Sequence, residues 1–416
     1  MSRRRRWTPV KGTGNRVYDA RERLALLALD LPGRVLLGAP AWWARRRDRN
    51  PAPEPREVLV LRLDRIGDLV MSLPALFDLR AALPAARIRL AVPAWSADIA
   101  RSAPVDEVLT WSPPWAGRRQ EGADSWPALL GKARGLRGAR LDLALDLQGD
   151  VRAALLLWLS GARARVGYAN TGGRYFLTRT VELDETVSWV EQNRRAVATA
   201  LRRALPARPA ADPLTPDERA GGAALLAARG ATQRPLVGLH PSGGRAVKQW
   251  DLARWAEVAA RLQKESGATV VVTGSGADRP LAAALLRTLP GPTVDLTGAL
   301  GVRETLGVIA ALDLFLSSDT GPMHMASAVG TPSVSVFGPS DPVRYFSGGS
   351  GESGSRHVVV RHDLWCSPCN LIRRPPAECA QGTPECLRLV AVDDVLREAR
   401  RLLEGRALPA PAPEPA

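Results

Sequence analysis

The sequence predicts an α/β protein of two domains, each built on a parallel β-sheet with helices on both faces. Short apolar runs alternate with segments of helical spacing, as in "EVLVLRL" followed by "GDLVMSLPALFDLRAAL". This rhythm stops in a loose Ala-, Arg- and Pro-rich segment at about 202–222 and then restarts. Strands that alternate with helices form doubly wound parallel sheets. The 416 residues are enough for two such domains, which we expect to face each other across a cleft.

The order of the elements follows from these patterns. In the first half the strands are "EVLVLRL", "ARIRLAV" and "LDLALDL". In the second half strands and helices read "PLVGLH", helix 251–265, "ATVVVTG", helix 279–289, "LDLFLSS", helix 321–329 and "SVSVFG". The expected divisions are an extension and linker at 1–56, domains at 57–215 and 216–390, and a closing helix with a disordered tail at 391–416.

Composition restricts the possible partners. The chain carries a net charge of +15, and residues 1–50, with thirteen Lys and Arg against four Asp and Glu, contribute +9 of it. A basic surface that is confined to one end argues against a nucleic-acid groove across the fold. No run of eighteen uninterrupted apolar residues predicts a transmembrane helix.

The first fifty residues predict contact with a membrane surface. They combine the arginine clusters Arg3–Arg6 and Arg45–Arg47 with leucines and the pair Trp42-Trp43, a composition typical of interfacial segments. The alternative is a disordered or loosely packed basic extension. We expect a cytoplasmic protein, peripheral on the inner face of the inner membrane, because the chain lacks both a convincing signal peptide and a disulfide framework.

Candidate binding residues follow the strands, where ligands lie in open parallel sheets. "SSDTGP" opens a helix, so that backbone N–H groups near Asp319, Thr320 and Gly321 form an anion site. His324 falls on the same turn. "HPSGG", with Ser242 and Gly243, allows a phosphate close to the backbone, and Lys248 follows it. Asp319 alone reads as a helix cap and His324 alone as a packed histidine. With "TGSGAD" at 273–278, however, three such loops follow strands of this half, and together they favour a diphosphate-bearing ligand.

"LRLDRIGDL" places Asp68 at a strand-to-helix turn of the first half. Its carboxylate is either a general base that faces the anion site from the other domain or a helix-start cap. Other nucleotide chemistries are disfavoured, since the sequence has no Walker A loop and no GxGxxG after a strand. An Asp-x-Asp pair, typical of metal-dependent sugar transferases, is also missing.

These loops together resemble glycosyltransferase family 9, the ADP-heptose:lipopolysaccharide heptosyltransferases. The resemblance covers about residues 57–400. Besides the strand-to-helix segments above it rests on "VGLHPSGGRAVKQWDLARWAEVAARL" and above all on "LSSDTGPMHMASAVGTPSVSVFGPSDP". It implies the GT-B fold and an inverting, metal-independent transfer that needs no cofactor. The implied substrates are a nucleotide-sugar donor and an anionic glycolipid acceptor.

The resemblance also implies roles. Asp68 matches the catalytic base, Lys248 the lysine that neutralises the donor phosphates, and His324 a residue beside the diphosphate. The other expected donor-binding residues are Ser242, Gly243, Asp319, Thr320 and Gly321. Where some relatives carry an acid that contacts the donor ribose, "TGSGADRP" offers Gly276 or Asp278. Two alternatives stay open: a transferase of the same fold with another nucleotide sugar, and a catalytically silent nucleotide- or glycan-binding protein.

All four cysteines lie in one segment, at Cys366, Cys369, Cys379 and Cys386. The spacing C-x2-C-x9-C-x6-C is compatible with a tetrahedral structural zinc site. Reduced structural cysteines in a Pro-rich loop are the alternative, and we expect no catalytic role for them.

Overall fold

The computed structural model describes residues 20–49, 54–115, 123–169, 172–206, 212–346, 356–369, 379 and 381–405. Within them the chain forms two compact units. Unit 1 takes the described parts of Met1–Arg65, Ser72–Glu185 and Val190–Pro209, and unit 2 takes Ile66–Met71, Thr186–Trp189 and those of Ala210–Ala416.

Unit 1 is built on a six-stranded parallel sheet. The strands are β1 (Glu57–Leu61), β2 (Arg87–Val92), β3 (Glu107–Thr110), β4 (Leu143–Asp146), β5 (Ala164–Tyr168) and β6 (Arg179–Val181), in the order β3-β2-β1-β4-β5-β6. The order reverses direction at β1 and β4, which is the doubly wound arrangement. Apolar residues fill the central strands because helices cover both faces.

The helices of unit 1 pack on this sheet. They are α1 (Ala20–Arg49), α3 (Leu73–Ala82), α4 (Ala97–Ala100), α5 (Trp126–Gly135), α6 (Val151–Leu159) and α7 (Trp189–Leu201). Leucines and alanines of α5 and α6 form one buried cluster with β1, β4 and Ala41 of α1. The N-terminal extension therefore contains a helix that is packed onto unit 1, whereas the alternative expectation was a loose or disordered segment. Residues 1–19 lie outside the described residues.

Unit 2 repeats the same topology. Its strands are β7 (Leu236–His240), β8 (Thr269–Val272), β9 (Thr293–Asp295), β10 (Leu314–Ser318), β11 (Ser333–Phe337) and β12 (His357–Arg361), in the order β12-β11-β10-β7-β8-β9. All neighbouring pairs are parallel. The two Rossmann-like sheets predicted from the alternating pattern are thus confirmed.

The helices of unit 2 agree closely with the predicted ones. They are α2 (Ile66–Val70), α8 (Pro216–Ala228), α9 (Leu252–Ser266), α10 (Arg279–Leu286), α11 (Val302–Ala311), α12 (Gly321–Val329), α13 (Pro342–Tyr345), α14 (Glu385–Arg388) and α15 (Val392–Glu404). The closing helix α15 packs against α9 in the core of this unit. The tail beyond Gly405 lies outside the described residues.

The helix that carries Asp68 groups with unit 2. Its position after β1 led us to expect Asp68 in the first domain, opposite the donor loops. The segment Ile66–Met71 instead belongs to unit 2 by its contacts, because α2 packs against α12.

The segment expected to be loose as far as residue 222 is helical from Pro216 onwards. Thr215 caps α8 by accepting from the backbone N–H of Glu218, and the Glu218 side chain accepts from the backbone N–H of Thr215 in return. This reciprocal capping box, with Pro216 in the first turn, starts a helix despite the surrounding Ala and Pro. None of the described helices is both long and apolar enough to cross a bilayer.

Candidate active site

The loop between β10 and α12 is the centre of the candidate site. Strand β10 is buried throughout and ends at Ser318, so the chain emerges at Asp319. Helix α12 begins at Gly321, with Thr320 as its N-cap residue and Pro322 in its first turn. The leading N–H groups of a helix have no intrahelical acceptor, and the Thr320 hydroxyl is turned back to donate to the Ser318 carbonyl, 3.2 Å away. The N-terminus of α12 therefore has the character of an anion site, and anion binding there stays a prediction.

Lys248 and Asp319 form a buried ion pair beside this helix terminus. The Lys248 ammonium donates directly to a carboxylate oxygen of Asp319. Burial alone would raise the pKa of Asp319, but the charge and hydrogen bond of Lys248 outweigh it, so this pKa lies below its usual value. The carboxylate is thus ionised at neutral pH and fixes the Lys248 side chain. Sequence reasoning placed both residues in the site but missed that they bind each other.

Gly243 allows this pair to form. A Cβ atom on Gly243 would come within 2.4 Å of the Gln249 nitrogen and 2.6 Å of the Lys248 carbonyl carbon. The loop after β7 must therefore contain glycine here, because its backbone lies against the backbone that carries Lys248. Ser242 is buried, and its hydroxyl accepts from the Gly244 N–H at 3.3 Å. The predicted role of "HPSGG", to let a phosphate come close to the backbone, stays a prediction.

His324 lies on the first turn of α12 and is 5% exposed. Burial lowers the pKa of His324, and the negative charges of Asp319 and Asp68 only partly oppose that shift. The imidazole is therefore neutral at pH 7, so it can donate one hydrogen bond without bringing a full positive charge. The His324 ring is therefore a buried neutral group within electrostatic reach of Asp319 and Asp68.

Asp68 reaches the same place from α2. It lies in the first turn of that helix and is half-buried. Its neighbour Gly67 touches the His324 ring, since a Cβ on Gly67 would come within 2.7 Å of His324 Cδ2 and 3.4 Å of the Gly321 Cα. The Asp68 charge acts on the pKa of both His324 and Tyr345. The structure thus brings together the predicted base, the histidine and the start of α12.

Two further residues of unit 2, Arg344 and Tyr345, border the site and were not predicted. Arg344 is buried, donates to the Val187 carbonyl at 3.0 Å and stacks on the Trp189 ring at 4.4 Å. Burial, together with the Asp68 charge, raises the pKa of Tyr345 to about 12, so its phenol keeps its proton. The only sequence signal was their position: "DPVRYF" follows β11 as another loop at the carboxyl edge of the sheet.

The loop after β8 carries the uncertain ribose-binding position. Asp278 accepts from the Ser275 backbone N–H at 2.8 Å and from the Ser275 hydroxyl at 2.7 Å, which closes a capping box at the start of a short turn. Burial would raise the pKa of Asp278, but these bonds and that from Ser242 hold it below its usual value. Asp278 therefore has a structural role in its own loop, and its contact with a donor stays a prediction.

The comparison with known proteins decides the family. The model of "Glycosyltransferase family 9 (heptosyltransferase)" matches residues 130–376, more than half of the chain. The chain belongs to glycosyltransferase family 9. It is therefore a glycosyltransferase, and the alternative of a catalytically silent binding protein has no support.

Relatives of known name or structure extend the family 9 assignment. Lipopolysaccharide heptosyltransferase 1 of Pseudomonas aeruginosa is 29% identical over 329 residues, which cover 75% of this chain and 85% of that protein. The solved family 9 glycosyltransferase of Veillonella parvula superposes with a TM-score of 0.69 at 20% identity, covering 86% of this chain and all of that one. The ADP-heptose lipopolysaccharide heptosyltransferase II of Escherichia coli gives 0.67 at 23%, covering 85% and 100%. These likenesses confirm the GT-B fold.

The cysteine segment packs against the loop that follows β11, since the Ser367 hydroxyl donates to the Gly338 carbonyl at 2.6 Å and the Cys369 N–H donates to the Pro339 carbonyl at 3.1 Å. Cys366, Cys369, Cys379 and Cys386 are reduced and form no disulfide among the described residues. Burial and the three neighbouring thiols raise the pKa of Cys386 to about 11. Among the described residues no group of three or more His, Cys, Asp or Glu side chains is arranged to hold a metal ion. The thiols lie near one another but do not form a ligand set as described, so structural zinc stays a prediction and has no part in the mechanism.

Proposed function

We propose that this family 9 enzyme transfers a heptose from ADP-heptose to the core saccharide of a lipopolysaccharide or a related cell-surface glycolipid. The support is twofold. Relatives of this chain are named as lipopolysaccharide heptosyltransferases, and one solved relative is named for ADP-heptose. The observation that carries the chemistry is the grouping of Asp68 and His324 at the N-terminus of α12, where Lys248 is held by Asp319.

The leaving group is the first requirement of such a transfer. As the bond between the anomeric carbon and the diphosphate breaks, negative charge grows on the phosphate oxygens. The backbone N–H groups at Thr320 and Gly321, the dipole of α12 and the Lys248 ammonium supply positive potential fixed in advance, which stabilises that charge without reorganisation. Neutral His324 adds a hydrogen-bond donor. Metal independence is part of the proposal, because these groups provide the charge stabilisation that a cation otherwise supplies.

The acceptor side needs a base. Asp68 takes the proton of the acceptor hydroxyl as its oxygen attacks the anomeric carbon, while the electron pair of the breaking bond leaves with the diphosphate. One displacement of this kind inverts the anomeric configuration. The protonated Tyr345 and the buried Arg344 are positioned to bind polar groups of donor or acceptor, but they do not exchange protons at neutral pH.

The experiment is a matrix of substrates. The purified enzyme is incubated with ADP-, GDP-, UDP- and dTDP-linked sugars and with lipid A–core acceptors truncated at successive positions, with and without a chelator. Mass spectrometry measures the product, and NMR of the new linkage gives its configuration. Transfer only from ADP-heptose, unaffected by chelator and with inversion, is the expected result. Transfer from another nucleotide sugar would identify instead a transferase of the same fold for a different polysaccharide.

We also propose that the enzyme works as a peripheral protein on the inner face of the inner membrane. The support is the strongly basic N-terminal region and the amphiphilic nature of a glycolipid acceptor, whose lipid part remains in the bilayer.

A further inference from the structure

Helix α1 has one buried face that attaches it to unit 1. The buried and partly buried positions recur at intervals of three or four residues, which is the spacing of one helix face: Asp30, Gly33, Leu37, Gly38, Ala41, Ala44, Arg45 and Asp48. Ala41 and Leu37 join the apolar core of unit 1. A Cβ on Gly33 would come within 2.3 Å of the Tyr175 ring, so the helix and that ring are in direct contact.

Two buried aspartates fix this face in place. Asp48 accepts two hydrogen bonds from Arg179, at 2.7 and 2.8 Å, and pairs with Arg202 at 3.2 Å. Burial would raise the pKa of Asp48, but Arg179 outweighs it and holds the pKa below its usual value. Asp30, one end of the buried face, accepts from the Gly173 N–H at 3.0 Å. A helix held by two such contacts and by apolar packing is part of the folded unit and does not need a lipid to form it.

The outer face of α1 is apolar and uncovered. Val35, Leu36, Trp42 and Trp43 are between 59% and 76% exposed. They are four of the eight large apolar side chains that are exposed in the described part of the chain. At 3.6 residues per turn they lie within about 120° of one another and about 170° around the axis from the buried aspartates and Ala41. The two faces are therefore opposite.

The charged side chains beside the tryptophans on the outer face are basic. Arg46 lies over the Trp42 ring at 5.4 Å and Arg47 over the Trp43 ring at 5.8 Å. The acidic side chains described on this helix, Asp30 and Asp48, both point to the buried face. An apolar strip with tryptophans, bordered only by arginine, is complementary to an anionic lipid surface, where indole rings lie at the headgroup level.

We propose that the outer face of α1, formed by Val35, Leu36, Trp42, Trp43, Arg46 and Arg47, is a rigid docking surface for an anionic phospholipid bilayer. The helix lies parallel to the membrane, and unit 1 is fixed above it through Asp48 and Asp30. This inference rests on the peripheral location proposed above and deepens it, but it does not depend on the identity of donor or acceptor. On this proposal the membrane-binding segment is a folded helix attached to unit 1, and not a flexible basic extension.

Sedimentation with vesicles tests the surface. The full-length protein is mixed with phosphatidylcholine vesicles, with or without phosphatidylglycerol, and turnover is measured separately on a delipidated acceptor. We expect binding only to anionic vesicles. W42S/W43S should lower the partition coefficient at least about tenfold, since two indoles no longer leave water. R46Q/R47Q should lower it about fivefold per charge removed, and this loss should shrink at high salt. Turnover on the delipidated acceptor should not change.

The matched control is Trp365→Ser, which removes a tryptophan that is 76% exposed in unit 2 and should leave vesicle binding within twofold. If W42S/W43S sediments like the parent, or if the parent does not bind anionic vesicles, the proposal is wrong. A concentration-dependent dimer that the same substitutions dissociate, without vesicle binding, would assign this face to a second copy of the chain and also overturn it. If the protein binds vesicles as expected but shows no turnover, the proposed reaction is contradicted and the docking surface is not.

Hydrogen exchange separates a docked helix from one that forms on lipid. Without vesicles, the amides of residues 33–48 should exchange as slowly as those of helix α6, because Asp48 and Asp30 hold α1 on unit 1. Rapid exchange without lipid and protection only on vesicles would show an induced anchor and refute the rigid platform.

Discussion

Gly67 lies directly against the imidazole of His324, at a distance where a Cβ atom would come within 2.7 Å of the ring. This contact couples the helix that carries the proposed base to the helix that binds the proposed leaving group. It also explains why glycine precedes Asp68: any side chain would displace either the histidine or the short helix α2. The spacing between Asp68 and the start of α12 is therefore set by a residue that has no side chain.

We predict that Gly67→Ala impairs catalysis more than stability. The added methyl group forces the buried His324 ring to move, which should cost about 1–3 kcal/mol of unfolding free energy and reduce turnover at least tenfold through the displaced donor. Urea unfolding and steady-state kinetics measure the two effects. Gly131→Ala is the control, since a Cβ there meets nothing within 4 Å and the change should raise helix α5 stability by about 0.5–1 kcal/mol. Full turnover in Gly67→Ala would show that the contact has no catalytic importance.

The sequence predicted the fold well because its information is local. Strands such as β10 and β7 are continuous apolar runs, and α12 begins at the predicted residue because Thr320, Gly321 and Pro322 form a helix start. The candidate residues Lys248, Asp319 and His324 come together because their loops follow β7 and β10, which are neighbouring parallel strands. Asp68 follows β1 of the other sheet, so this reason does not extend to it.

What the sequence could not provide are contacts between distant segments. The pairing of Lys248 with Asp319 joins residues 71 positions apart, and no local pattern encodes it. The same holds for Arg344 on Trp189, for Asp48 with Arg179, and for the grouping of α2 with α12. Helix α8 is a different case, because the signals at Thr215 and Glu218 were present and were outweighed by the Ala- and Pro-rich composition around them.

The ion pair of Lys248 and Asp319 predicts a non-additive double-mutant cycle. Lys248→Met alone leaves a buried, unpaired carboxylate and should cost about 3–5 kcal/mol of stability. Asp319→Asn in addition removes that charge and should recover most of the loss. Nucleoside diphosphate affinity, measured by calorimetry, should fall in both variants because the ammonium is missing in both.

A surface pair provides the reference for this cycle. Arg261 and Asp393 are joined at 2.7 Å but are exposed, so Arg261→Met should change stability by less than about 1 kcal/mol. If Lys248→Met and the double variant bind nucleoside diphosphate as the parent does, Lys248 serves the fold alone.

His357 predicts a loss of stability on mild acidification. Burial lowers its pKa to about 4, from an ordinary value near 6.5. The unfolded chain therefore takes up a proton below pH 6.5 that the folded chain takes up only near pH 4, so stability falls as the pH drops through this window. At pH 5 the loss should be about 2 kcal/mol relative to pH 7.5.

The comparison of variants isolates this effect from other titrating groups. Burial also raises the pKa of Asp146 to about 6, which favours the folded state on acidification and so opposes the histidine. Both the parent and His357→Gln contain Asp146, and the difference between their stabilities at the two pH values reports His357 alone. His362→Gln, at an exposed histidine, should follow the parent. If His357→Gln loses as much stability as the parent between pH 7.5 and pH 5, His357 is not buried as a neutral ring.

The most direct prediction concerns Asp68→Asn. Asparagine has the same shape and retains some capping ability at a helix start, so a merely structural aspartate would lose at most about 1–2 kcal/mol of stability and little activity. An amide accepts no proton, however, and loss of a general base typically costs about 10²–10⁴ in rate. We therefore expect a folded variant that binds nucleoside diphosphate normally and turns over at least about a hundredfold more slowly. Asp98, another aspartate in the first turn of a short helix, provides the control, and Asp98→Asn should keep parental turnover. If Asp68→Asn also keeps parental turnover while remaining folded, Asp68 is not the general base and another residue must take the proton.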